Sequence, residues 1–62
     1  MRIQCNKFPT EVPSCRFYAF PEGQERVKVH VDGNVDFAAV AQEFAAKNVT
    51  VTVDDLETAY NA

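Results

Sequence analysis

Hydrophobic and polar residues alternate along the first half of the chain and recur with helical spacing along much of the second. Over residues 1–7, Met1, Ile3 and Cys5 alternate with Arg2, Gln4 and Asn6, the pattern of a strand buried on one face. Pro9 and Pro13 remove backbone donors and hold Phe8 and Val12 extended, which predicts a loop over residues 8–13. Residues 14–31 then read as a β-hairpin. Pro21 suits the second position of a type I turn, and Gly23 suits the left-handed residue of a three-residue loop with a bulge. That turn sets Phe20 opposite Gln24, Tyr18 opposite Arg26, Arg16 opposite Lys28, Phe17 opposite Val27 and Cys15 opposite Val29. Cys15, Phe17, Ala19, Val27 and Val29 share one face of the hairpin. Arg16, Tyr18, Phe20, Arg26, Lys28 and His30 share the other. If the first strand pairs antiparallel with the second about Thr10, Cys5 faces Cys15, Ile3 faces Phe17 and Met1 faces Ala19, all on the apolar face.

The period changes after residues 32–34, Asp-Gly-Asn. Asn34 is a suitable N-cap for a helix over about residues 35–47. Phe37, Val40, Ala41, Phe44 and Ala45 make its apolar stripe, Asp36 complements its first turn, Glu43 and Lys47 form an i,i+4 pair, and Asn48 suits its left-handed close. Residues 49–53, Val-Thr-Val-Thr-Val, alternate and are β-branched, which predicts a short strand at 49–51. Thr52 and Asp55 resemble a capping box, and Val53, Leu56 and Tyr60 form a stripe for a last helix over about residues 53–60. The expected fold is α+β: a small antiparallel sheet around the hairpin 14–31, packed by one amphipathic helix, then a short strand and a short C-terminal helix. The expected core is Phe17, Val27, Val29, Phe37, Val40 and Phe44.

Composition narrows the class without naming a function. The chain has 62 residues, 47% hydrophobic and 24% charged, which is the balance of a folded globular domain. No linker, repeat or biased segment divides it, so residues 1–62 are expected to form one domain. A chain this short buries only about 60% of its unfolded surface, so association of two copies into a homodimer would enlarge a thin core. No 18-residue apolar run or secretory leader pattern is present, and a cytoplasmic location with no membrane association is expected. Two cysteines in that setting are expected to be reduced, buried thiols. Asn48-Val49-Thr50 matches a glycosylation acceptor, which matters only in a secreted eukaryotic protein.

Catalytic and metal chemistry lack their usual residue sets. His30, the only histidine, falls on the face opposite both cysteines, so no nucleophile has a base beside it. Cys5, Cys15 and His30 offer neither four ligands nor paired short spacings for zinc. Gly23 and Gly33 are both used by turns, which leaves no glycine-rich phosphate loop. The expectation is therefore no enzyme, no cofactor and no metal. The net charge of −3 conceals a polarity: residues 1–31 hold five Lys/Arg and three Asp/Glu, whereas residues 32–62 hold one and six. The polar hairpin face interleaves cations with aromatics, and Arg16, Tyr18, Phe20, Arg26 and Lys28 are its candidate contact residues. Arginine and aromatic residues dominate protein interfaces, so a protein-binding module (an adaptor, an inhibitor or an assembly subunit) is the expected function. The alternative is a single-stranded nucleic acid stacked on the same aromatics.

Overall fold

Among the described residues of the computed structural model, 1–8 and 14–62, three strands are followed by two helices. β1 (Arg2–Phe8), β2 (Ser14–Phe20) and β3 (Val27–Asp32) form an antiparallel sheet with β2 in the middle. α1 (Phe37–Ala46) packs against β3, α2 (Val53–Asn61) packs against β1, and the two helices also touch each other. The architecture is α+β, as the hydrophobic pattern implies. Residues 9–13 of the expected first loop lie outside the described residues, whereas Phe8 belongs to β1.

Both hairpin registers differ from expectation by two residues. Phe17 pairs with Val29, Tyr18 with Lys28, Arg16 with His30 and Cys15 with Val31. For this pairing of β2 with β3 the reason lies in the turn. Gln24 N–H donates to the Pro21 carbonyl at 3.3 Å, so Pro21 opens the turn, and Gly23 takes its third position with φ of 70°. A positive φ there is the requirement of a type II turn, which glycine meets without strain. Glu25 and Arg26 then belong to the connection rather than to β3. Phe20 consequently has no Gln24 partner across the sheet; it pairs with Arg2 of β1. In the first pairing Cys5 faces Phe17, Ile3 faces Ala19 and Lys7 faces Cys15, so the two cysteines are diagonal neighbours and both remain free thiols. A slip of two residues preserves which side chains share a face, and a slip of one would have reversed it.

The inward face meets the helices in one hydrophobic cluster of Cys15, Phe17, Ala19, Val29, Val40, Phe44, Val49 and Leu56. Phe17, Phe44 and Leu56 are fully enclosed, each worth about 1.5–3 kcal/mol by removal from water. Val27 and Phe37, expected in the innermost core, are half-buried beside it, and Ala45 of the expected stripe is exposed. Phe37 and Tyr60 meet edge to face at 5.5 Å between ring centroids, and both approach Phe17 at 6.4 Å.

α1 begins two residues later than Asn34 would start it. Asp36 is the N-cap, its Oδ1 accepting from Ala38 N–H at 3.1 Å and Ala39 N–H at 3.4 Å. A carboxylate at this position satisfies two otherwise unpaired donors and meets the positive end of the helix. Asn48, with φ of 63°, closes the helix as expected: Val49 N–H donates to Phe44 O and Asn48 N–H to Ala45 O, the paired bonds of a Schellman motif. That motif corrects the strand expected at 49–51. Val49 is buried as the anchor that accompanies the cap, Val51 is half-buried, and residues 49–52 run from one helix to the next without joining a ladder. Their alternation is real, but it covers the core rather than pairing a strand. Thr52 and Asp55 form the expected capping box, with bonds of 3.0 and 3.2 Å, and Val53 is exposed rather than packed. Glu43 and Lys47 make no ion pair; among the described residues that contact occurs once, between His30 and Asp32. No described helix is long and apolar enough to cross a membrane.

Candidate interaction surface

Even-numbered strand residues point away from the helices. β1 contributes Arg2, Gln4, Asn6 and Phe8, β2 contributes Ser14, Arg16, Tyr18 and Phe20, and β3 contributes Lys28, His30 and Asp32. Both helices lie against the opposite face, so this one is covered by no described helix. Its aromatics are nevertheless not bare. The Arg2 guanidinium carbon sits 4.4 Å from the centroid of the Phe20 ring, that of Arg26 4.9 Å from Tyr18, and that of Arg16 5.1 Å from Phe8. All three lie within the range of cation–π attraction.

The five candidate residues therefore gather on one surface but differ in exposure. Arg26 and Lys28 are exposed, Arg16 and Phe20 half-buried, and Tyr18 only 7% exposed. The expectation that Tyr18 offers its ring to solvent is corrected. It occupies the middle of the central strand, with Lys28 directly across on β3, Gln4 across on β1 and Arg26 on its ring. Long side chains lying along a sheet can cover an aromatic while keeping their charged ends in water. Phe8 is the member missed from sequence, because its place before Pro9 read as the start of a loop. Extending the alternation of Arg2, Gln4 and Asn6 by one step would have found it.

Charge divides with the faces. Four of the six lysines and arginines, Arg2, Arg16, Arg26 and Lys28, stand on the open side. Its one strand carboxylate, Asp32, is engaged by His30 Nε2 at 2.9 Å. No described carboxylate lies within ion-pair distance of those four cations. On the helical side, Asp36, Glu43, Asp54, Asp55 and Glu57 accompany two lysines, Lys47 and Lys7. Lys7, on the inward face of β1, lies 4.2 Å from the Tyr60 ring at the rim of the core.

The thiols sit apart from this surface. Burial, reinforced by the neighbouring Cys15 thiol, pushes Cys5 up to about 11, and burial also raises Cys15. Reaction as a nucleophile requires the thiolate, which such burial makes scarce near neutral pH. No family model matches the chain, and neither curated proteins nor solved structures give a significant match.

Proposed function

We propose that the protein is a single-domain, non-enzymatic binding module that presents the open face of its sheet to a protein partner, as an adaptor, an inhibitor or an assembly subunit. Arg16, Phe20, Arg26 and Lys28 are its contact residues, joined by Arg2 and Phe8, with Tyr18 beneath Arg26 as the ring that holds it in place. The observation that carries the reading is a sheet face left uncovered by both helices yet holding three guanidiniums on aromatic rings. Fixed aromatic and arginine groups lose little conformational freedom when a partner docks, which is why such residues concentrate binding energy. The suppressed thiols support a surface role over covalent catalysis. The cytoplasm, where free cysteines stay reduced, suits both.

Placing a photo-reactive amino acid on each side of the molecule tests this. A cross-linker at Lys28 on the open face should capture a discrete protein from nuclease-treated native lysate, and one at Glu57 on α2 should not. Capture of nucleic acid at Lys28 in the untreated lysate, capture that does not depend on position, or no adduct at either position would each overturn the reading.

A further inference from the structure

We infer that the segment docking on the open face is carboxylate-rich: an extended, acidic stretch of partner protein whose Asp and Glu side chains are taken by the guanidiniums of Arg2, Arg16 and Arg26. The inference rests on the binding-module reading and adds the partner's chemistry to it.

A guanidinium resting on a ring uses none of its five N–H donors in that contact. Each of the three has its ring, and none has a carboxylate partner among the described residues, so planar donor groups are held in place facing outward. Such forks match carboxylate geometry and can bind it through two parallel hydrogen bonds. The three stacks span the sheet from the Phe20 end of β2 to Phe8, on either side of Tyr18. An extended segment crossing that distance would meet them in turn. Among the described strand residues of this face the one acid is Asp32, and its carboxylate is engaged by His30.

Phosphates would satisfy the same forks, so the rings decide between the two kinds of polyanion. Single-stranded nucleic acid gains much of its affinity by stacking bases on exposed aromatics. Here Tyr18 is only 7% exposed, Phe8 and Phe20 are half-buried, and a guanidinium already occupies a face of each ring. A base stacking on an occupied ring face would displace an arginine, whereas a carboxylate needs the arginines where they are.

The probe is a capped Glu/Ser peptide long enough to cross the sheet, titrated into the full chain while the Arg Nε–H resonances are followed by NMR. A Gln/Ser peptide and an oligothymidylate of equal charge are run in parallel. The Glu peptide should shift Arg2, Arg16 and Arg26 saturably and the Gln peptide should not. Arg16→Lys with Arg26→Lys keeps the charge but loses the planar forks, and should weaken binding about tenfold. If that pair fails to fold by thermal melt, Arg2→Lys alone serves, with a smaller loss in the same direction. Equal binding by the lysine variants, shifts confined to the helices, or tighter binding of oligothymidylate would overturn the inference. So would concentration-dependent self-association of the peptide-free protein that Arg16→Lys abolishes, since a second copy would then occupy the face. If the Lys28 cross-linker captures a protein that the Glu peptide does not displace, the acidic chemistry fails while the binding-module reading stands.

Discussion

The two faces of the sheet hold aromatic residues in opposite ways. On the inner face, Phe17 meets Phe37 and Tyr60, rings delivered by two helices, and Phe17 is sealed from water by protein with the other two half-buried around it. On the outer face, Phe8, Tyr18 and Phe20 are each met by an arginine from the sheet or its connection. The first arrangement gains from desolvation, which is large and non-directional. The second gains from cation–π attraction and the cover of aliphatic stems, which are smaller, and it leaves charge facing outward. One face therefore stabilises the chain, and the other holds a surface in readiness at low energetic gain.

The largest expected effect breaks this comparison most directly. Phe17→Ala should cost about 3–5 kcal/mol, because it opens a cavity where no helix can close in, and a domain of this size has little more to lose. Phe20→Ala removes a ring of equal size from the outer face and should cost no more than about 1.5 kcal/mol, since solvent and the freed Arg2 can relax into the space. Chemical denaturation of the two variants checks both values. Equal losses would mean that the outer rings are core residues and that the faces do not differ in kind.

The same contrast explains which features were legible in the sequence. Side-chain alternation gave the membership of both faces correctly, even though each hairpin register is displaced by two residues, because parity survives an even slip. The displacement between β2 and β3 came from Pro21, which fits either of two turn positions; only the Gln24–Pro21 bond distinguishes them. The first helix was legible from its stripe, but Asn34 and Asp36 are both good caps, and the choice fell to Asp36. Val49 to Val53 misled because a β-branched alternation reports a half-buried extended surface without saying whether a neighbouring strand exists. For the open face, the residue types were readable and their coverage was not. The burial of Tyr18 depends on Arg26, Lys28 and Gln4 arriving from three places in the chain, and no local pattern records that.

A double-mutant cycle on Tyr18 and Arg26 sharpens the comparison at the next scale. Arg26→Ala should cost about 0.5–1 kcal/mol in the presence of Tyr18, and much less once Tyr18 is replaced by Leu, a side chain of similar bulk with no π face. The coupling should persist at high salt better than a surface ion pair would, since part of it is the cover of the ring by the arginine stem. A coupling indistinguishable from zero would show that the ring is buried by the sheet alone and that the guanidinium merely passes over it.

The smallest expected effect belongs to the inner face and appears only in alkali. The Cys5 thiol is raised from 9.0 to about 11, chiefly because burial penalises the thiolate and secondarily because of the nearby Cys15 thiol. The sign follows from which state holds the proton more tightly. In the unfolded chain the thiol ionises near its ordinary value, while in the folded chain it keeps its proton to higher pH, so the contribution is intact below about 9 and is lost as pH climbs through about 11. Cys5→Ala removes this titration. Urea midpoints measured under reductant at about pH 8 and about pH 10 should therefore fall less in Cys5→Ala than in the parent. Identical falls would place Cys5 in water rather than against the core.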